Sequence, residues 1–306
     1  MTAILRTPVR QLPITVPPVR RETTDSFLRR LAIVNHLEPD DVADAVAVTR
    51  RKSVAGVKRT YSAAKIARVT GHSVESLAKA LPELARPNQR FPLNHVLRAC
   101  PRCCRRHRGG TVRIHPEPHQ HVCLRHNLWL GSLGPESSGW IQEEGPVDIS
   151  ALPVIRAAQR RHHRLIRHHG QAAATTAVLT AVHAWQRGED RLGRRQWERI
   201  DILRPGTERV SSNDPITHAV CYPDIITIAS VLASPFWQNT ATDPRTETTA
   251  VAEILRRIHE REMPDPYDNT GATIWPVIRD WARGLQRDRR HRDPDRYWDE
   301  VLAKLL

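Results

Sequence analysis

CPRCCRRHRGGTVRIHPEPHQHVCLRHNLWL, residues 100–130, contains four of the five cysteines of the chain. Cys100 and Cys103 form a Cys-x-x-Cys pair, and Cys123, which follows Cys103 by 20 positions, forms a Cys-x-x-His pair with His126. A two-residue gap lets both donors of a pair point the same way, and tetrahedral Cys3His sites for structural zinc use this kind of spacing. We therefore predict a small zinc-ribbon-like module with these four residues as ligands.

Three other readings of this stretch stay open at the level of sequence. A redox Cys-x-x-Cys pair would need a strand-to-helix junction and gives no reason for a second pair. A nuclease with a structural zinc ion would need a separate histidine base and a carboxylate or histidine to hold a catalytic metal. The stretch holds only one carboxylate, Glu117. Third, Cys104 could replace Cys103 as a ligand. Other histidines could also donate, namely His107, His115, His119 and His121.

The composition favours an anionic partner. Lys and Arg outnumber Asp and Glu by 47 − 33 = 14 among 306 residues, which gives a net charge of +14. A field of that sign attracts phosphate backbones or anionic membranes. No apolar run approaches the roughly 18 residues of a spanning helix, and the proline-interrupted start does not resemble a signal peptide. We expect a cytoplasmic protein, in which reduced cysteines favour metal binding or catalysis over disulfides.

The amino-terminal region is predicted to be helical after an extended, proline-rich arm. Phe27, Leu28, Leu31 and Val34 recur at helical spacing. Two short helices then follow around Gly71, with Ser73 as an N-cap and Glu75 where the helix dipole favours an anion.

Two helices across a tight turn containing glycine predict a helix-turn-helix, although any small helical bundle produces the same pattern. If the motif binds DNA, sequence readout is expected near this turn. The candidate residues are Lys65, Arg68 and His72.

A basic helix is predicted after residue 150. Residues 151–188 contain no Asp or Glu. At about 100° per residue, four arginines share one quarter of the helix and the apolar residues share the other side. Such a stripe is either a solvated face or a surface for phosphates, and the lack of acids favours phosphates. The stripe consists of Arg156, Arg160, Arg164 and Arg167, and Arg105 and Arg106 are further candidate DNA contacts.

Further helices are predicted in the carboxy-terminal half. One runs from Pro215 and is ended by Pro235, two more cover 248–263 and 294–306, and a short one lies within 274–287. Cys221 is predicted to be a buried thiol. The whole chain is thus predicted to be mainly α, with four parts: an extended arm at 1–22, a helical helix-turn-helix-like domain at 23–90, a zinc-binding module at 91–150 and a basic helical domain at 151–306.

The order of these features resembles the TniQ family, the target-selection proteins of transposons related to TnsD. The family signature Glu-Ser-x-x-Ser-aromatic-Leu-x-Arg-Leu-Ala-x-x-Asn-x-Leu stands here as Glu22 to Leu37, with Thr23 in place of the usual serine. The family's Cys-Pro-x-Cys and Cys-Pro-x-His pairs correspond to Cys100–Cys103 and Cys123–His126. The second pair lacks its proline, and the aromatic residues common between the pairs are absent. The resemblance covers roughly residues 10–135.

The resemblance implies a non-catalytic adaptor that binds DNA, or a target-recognition complex on DNA, and recruits a AAA+ ATPase that licenses the transposase. The ATPase is not in this chain, because there is no Walker A loop. A homodimer is a further expectation, and a membrane partner is not expected. A stand-alone transcription regulator with a helix-turn-helix and a zinc staple is the alternative function.

Overall fold

The computed structural model describes residues 10–53, 56–86, 96–131, 146–186, 192–211 and 214–242, and further 246, 249, 252–253, 256, 281–285 and 287. The side chains of 51–58 and 184–186 are not described. The protein is mainly α, as predicted. The described residues fall into two compact units, one with 10–130 and Pro146 and one with Gly131 and the residues from Val147 onward. The finer predicted boundaries after residues 22, 90 and 150 stay predictions.

The first unit opens with helix α1, Thr24–Val34. Thr23 caps its start, because the Thr23 hydroxyl accepts a hydrogen bond from the Ser26 amide at 3.1 Å. Phe27, Leu28 and Leu31 are buried, which confirms the predicted apolar face.

A β-hairpin that sequence reasoning missed follows the second helix. Helix α2 covers Pro39–Val46, and strands β1 (Ala47–Ser53) and β2 (Gly56–Tyr61) pair antiparallel directly after it. The run of basic residues in this stretch hides the alternation that would predict strands. Arg59 on β2 forms an ion pair with Asp44 on α2 at 2.6 Å, which connects the hairpin to α2.

Three short helices complete the helical part of the first unit: α3 (Ala63–Thr70), α4 (Val74–Ala80) and α5 (Pro82–Ala85). Gly71 ends α3 with φ of +73°, a left-handed conformation that glycine adopts at little cost. The Ser73 hydroxyl caps α4 by accepting from the Ser76 amide, as predicted. These helices and α1 enclose one apolar core, which includes Val16, Phe27, Leu31, Val46, Ile66, Leu77 and Leu81.

The amino-terminal arm is packed against these helices. Val16 is fully buried in the core. The Leu12 amide donates to the Val69 carbonyl at 2.9 Å, and the Arg21 amide donates to the Ala80 carbonyl at 2.7 Å. The arm therefore lies along α3 and α4 and shares their core.

The cysteine region consists of short strands and one helical turn. Strand β3 (Leu97–Arg98) pairs antiparallel with β4 (Arg113–Ile114), and helix α6 (Pro101–Cys104) lies between them in sequence. Strand β5 (Val122–Cys123) pairs antiparallel with β6 (Leu128–Trp129).

The second unit is a bundle around one buried helix. Its elements are β7 (Val147–Asp148), α7 (Pro153–His169), α8 (Gln171–Gln186), α9 (Arg194–Leu203), α10 (Pro215–Leu232) and α11 (Pro235–Thr242). Helix α10 packs against α7, α8, α9 and α11. A buried ion pair between Arg199 and Asp224, at 2.6 Å, joins α9 to α10. Cys221 is buried on α10, as predicted.

The described residues contain one helix, α10, that is long and apolar enough to cross a membrane. The expectation that no apolar run approaches this length was therefore wrong. In the structure 83% of this helix is buried among other parts of the protein, which is typical of a core helix. Of the remaining helix predictions, 281–285 are helical within 274–287, whereas 294–306 and most of 248–263 lie outside the described residues.

Candidate functional site

Two tight turns bring together the four predicted metal ligands. Cys100 and Cys103 lie at the start and inside of α6, where the Cys104 amide donates to the Cys100 carbonyl at 3.0 Å. Cys123 ends β5, and the turn to β6 carries His126, whose amide donates to the Cys123 carbonyl at 3.2 Å. All four donor atoms lie within 4.8 Å of one another.

The distances between donors fit a tetrahedral metal ion. The Nδ1 atom of His126 lies 3.3 Å from the Cys100 sulfur, 3.2 Å from the Cys103 sulfur and 3.5 Å from the Cys123 sulfur. The sulfurs of Cys103 and Cys123 are 3.7 Å apart. Bond lengths of about 2.3 Å to sulfur and about 2.0 Å to nitrogen at tetrahedral angles imply separations of roughly 3.5 to 3.8 Å. Donor set and spacing therefore suit zinc through Nδ1 of the histidine.

The thiols of Cys103 and Cys123 resist ionisation in the absence of a cation. Burial, followed by the neighbouring thiols of Cys123 and Cys100, raises the pKa of Cys103 to about 12. Burial also raises the pKa of Cys123. A divalent cation reverses this balance because it binds the thiolate form. Cys103 and Cys123 are thus placed for a metal and are poorly suited to free thiolate chemistry.

Apolar packing and one arginine support the cluster. Leu97, Leu128 and Leu130 pack with the buried Cys100. Arg102 donates to the His126 carbonyl at 3.1 Å, which links the second turn to α6. Groups that orient the ligands in this way are part of a working metal site.

The competing donors lie outside the cluster. Cys104 is half-buried and does not share the set of four. His115 bonds to Glu83 at 2.8 Å, His119 pairs with Glu117 at 3.2 Å, and His121 stacks on Trp129. The set that the structure assembles is therefore the predicted one.

Comparison with protein families shows which proteins the first unit resembles. The TniQ model matches residues 13–130, which span the arm, the helices and the cysteine cluster.

The amino-terminal part of the chain belongs to the TniQ family. The match ends at the close of β6. No curated protein and no solved structure matches the chain.

The TniQ signature forms a buried polar network at the start of α1. Glu22 and Arg30 are both fully buried and form an ion pair with two contacts, at 2.8 and 2.7 Å. Ser26 donates to Glu22 Oε1 at 2.9 Å, and the Arg113 amide donates to the Ser26 hydroxyl at 2.9 Å. Glu22, Ser26 and Arg30 of the signature thus satisfy one another, as burial requires.

Arg30 also links the signature to the loop between the two Cys pairs. Its guanidinium donates to the Arg108 carbonyl and to the Pro17 carbonyl, both at 3.0 Å. Gly109 has φ of +92°, and a Cβ there would lie 2.4 Å from the Arg30 carbonyl. The loop therefore approaches α1 as closely as a backbone without a side chain permits. The sequence carried the motif but no signal of this contact.

The predicted DNA contacts near the α3–α4 turn have unequal surroundings. Lys65 and Arg68 are exposed, and the Lys65 ammonium donates to the Ala47 carbonyl at 3.0 Å. His72 is half-buried, with its Nε2 atom 3.0 Å from the Val16 carbonyl of the arm. Arg105 and Arg106 are exposed after α6. Their roles in DNA binding stay predictions.

The basic stripe of the second unit lies on the outer face of α7. Arg160, Arg164 and Arg167 are exposed and Arg156 is half-buried. The opposite face buries apolar residues, as predicted, and also two polar residues that were not predicted to be buried. These inward residues are Ile155, Ala158, Gln159, His162 and Leu165. His162 is satisfied by the Tyr222 hydroxyl on α10 at 3.0 Å. The amphipathic helix is confirmed, and its contact with phosphates stays a prediction.

Proposed function

We propose that the protein is a non-catalytic adaptor for DNA transposition, which binds target DNA and recruits a AAA+ ATPase that controls the transposase. The match of residues 13–130 to the TniQ family carries this proposal. TniQ proteins select transposition targets, and they act as adaptors rather than as enzymes.

We further propose that Cys100, Cys103, Cys123 and His126 hold a structural zinc ion. A closed set of four protein donors leaves no open position for a substrate or an activated water, which is how structural zinc sites differ from catalytic ones. The three sulfurs and one imidazole also suit zinc better than magnesium or calcium, which prefer oxygen. The zinc would hold the loop that packs on α1.

The DNA contact in this proposal is electrostatic. The chain has a net charge of +14, and the outer face of α7 presents Arg160, Arg164 and Arg167. Phosphate contacts of this kind position a protein on DNA without reading the bases. Recognition of a particular target would then depend on residues near Lys65, Arg68 and His72, or on a target-recognition complex that the adaptor joins.

The proposal is tested with the full chain, tagged and isolated from its host with bound proteins identified by mass spectrometry. A AAA+ ATPase that co-purifies in a nuclease-treated sample, and that binds the purified chain directly, supports the adaptor. A chain that binds one promoter-like DNA sequence tightly and no ATPase contradicts the adaptor and favours the transcription regulator. Sedimentation of the purified chain tests the proposed homodimer. Fractionation of host cells tests the proposed cytoplasmic location and the proposed absence of a membrane partner.

A further inference from the structure

Three arginines converge where β3 and β4 meet α1. The antiparallel register places Arg98 on β3 directly opposite Arg113 on β4. Directly opposed residues of such a pair have Cα atoms about 4.5 to 5.5 Å apart, and like charges in that position repel each other. A second feature of the fold must therefore compensate for this pair.

The third arginine comes from α1. The Arg113 amide donates to the Ser26 hydroxyl at 2.9 Å, and the Arg113 carbonyl accepts from the Thr23 amide at 2.9 Å. These two bonds hold β4 against the first turn of α1. Arg29 lies three residues after Ser26, on the same face of the helix and about 4.5 Å further along its axis.

The described carboxylates balance the charges of the three arginines only in part. Burial, then Arg29, then Arg98 lower the pKa of Arg113, whereas Asp25 raises it. Asp25 itself accepts a hydrogen bond from the Tyr61 hydroxyl. None of the three guanidinium groups forms an ion pair with a carboxylate in the described part of the chain.

Arg98 carries the most direct sign of a missing partner. Its Nε atom is buried and has no hydrogen-bond partner within the described residues. Both Arg98 and Arg113 are half-buried, whereas Arg29 is exposed at the edge of the cluster. A solvated charge run would leave all three guanidinium groups in water, which is not the case here. A buried donor without a partner is costly, and an anion that reaches the cluster would satisfy it.

We propose that Arg29, Arg98 and Arg113 form a phosphate-binding site that takes a backbone phosphate of DNA. Guanidinium groups bind phosphate oxygens with paired, charge-assisted hydrogen bonds, and three of them can surround one phosphate group. The inference rests on the proposed DNA-binding function and adds a contact surface on the TniQ domain, separate from the α7 stripe. The two hydrogen bonds between β4 and the first turn of α1 bring the backbones that carry Arg29 and Arg113 side by side before DNA arrives.

The experiment compares two full-length variants that lose the same charge. One is Arg98→Gln with Arg113→Gln, and the control is Arg10→Gln with Arg20→Gln, two exposed arginines of the arm. Binding to a labelled duplex of mixed sequence is measured by fluorescence anisotropy between about 50 and about 200 mM salt. Each lost phosphate contact lowers the slope of log affinity against log salt by about 0.9. We expect the cluster variant to lose about 1 to 2 from the slope relative to the control variant.

Metal content and melting temperature show whether the cluster variant folds. If the cluster variant does not fold, Arg29→Gln is used instead, because Arg29 is exposed and we expect its replacement to leave the fold intact. The control is then Arg20→Gln, and the slope of log affinity against log salt is expected to fall by about 1. If the native chain binds DNA and the cluster variant has the same slope as the control variant, the inference is overturned.

A native chain that does not bind DNA instead contradicts the proposed function. Inorganic phosphate then tests whether the three arginines bind phosphate at all. If phosphate raises the melting temperature of the native chain above that in chloride at equal ionic strength, and does not do so for the variant, the site binds free phosphate and the DNA assignment is overturned. No rise in the native chain overturns the site altogether.

Discussion

The Arg30 guanidinium and the Glu22 carboxylate form a two-contact ion pair with no solvent exposure on either side chain. The pair joins the segment before α1 to the helix, and through the Arg108 carbonyl it reaches the loop between the two Cys pairs. Burying two charges is costly, and the cost is offset only when every donor and acceptor is satisfied, as it is for Glu22 here.

We expect either single substitution in this pair to destabilise the first unit strongly. Glu22→Gln or Arg30→Met leaves the other charge buried without its partner, which costs about 3 to 5 kcal/mol. The double variant should lose much less than the sum of the two. Urea unfolding of all three variants and the native chain measures this coupling. Ser26→Ala, which removes hydrogen bonds to the same network but no charge, is the comparison, with an expected loss of about 1 to 3 kcal/mol. Additive losses in the double variant would contradict the role of the ion pair.

The metal centre predicts one zinc ion per chain. Cys103→Ser should lower the metal content and unfold the cysteine region, because structural zinc contributes roughly 10 kcal/mol or more to folding in small zinc fingers. Cys104→Ser is the matched control, since it removes a neighbouring thiol that lies outside the set of four. Elemental analysis of the purified proteins measures the metal. Loss of zinc from the Cys104→Ser protein alone would show that the ligand assignment is wrong.

The α7 stripe predicts a contact that is independent of DNA sequence. Arg160→Ala with Arg164→Ala should weaken binding to all duplexes alike. It should also reduce the slope of log affinity against log salt, because fewer counterions are released from the DNA when phosphate contacts are lost. Arg194→Ala with Arg209→Ala is a control of equal charge in the same unit, from two exposed arginines outside α7. Titrations of unrelated duplexes at several salt concentrations measure both effects. Unchanged affinity and slope would make the stripe a solvated face or a protein-docking face.

The protein is not expected to nick DNA in the presence of magnesium or manganese. Glu117, the only carboxylate in residues 100–130, is engaged by Arg21 and His119 at 3.5 and 3.2 Å. A plasmid-nicking assay checks this prediction. Metal-dependent cleavage that disappears in His126→Ala or Asn127→Ala would favour the nuclease interpretation instead.

Glu83 predicts an acid-sensitive contribution to stability. Burial raises the pKa of Glu83, but hydrogen bonds from His115 and from the Thr24 amide outweigh burial and place the pKa below its ordinary value of 4.5. A carboxyl group with a lowered pKa stabilises the folded state above pH 4.5, and this contribution is lost as the pH falls through the lowered value.

We therefore expect Glu83→Gln to lower the free energy of unfolding at neutral pH and to have less effect in acid. Unfolding curves across the acid range measure the difference. Glu38→Gln is the control, since Glu38 is exposed and makes no capping hydrogen bond at the start of α2. An equal loss at every pH would contradict the ionic role of Glu83.

Several local elements of this protein were predictable from its sequence. The spacing of Cys100, Cys103, Cys123 and His126 identified the cluster, because each pair lies within one turn and the backbone alone orients its donors. Short-range hydrogen bonds likewise fixed the caps at Ser73 and at Gly71, and helical periodicity fixed the apolar face of α7.

Burial and partners depended on segments far apart in the chain, and only the tertiary structure decided them. The hairpin β1–β2 was missed because its charges hide the alternation of its strands. From the sequence, His72 is expected to be a surface histidine, but in the structure the arm places the Val16 carbonyl beside its ring. Arg98 and Arg113 are ordinary surface residues in the sequence, yet the register of β3 and β4 sets them opposite each other beside α1. A side chain's spacing determines which element it joins, but packing between distant elements determines whether its charge meets water, a partner or another charge.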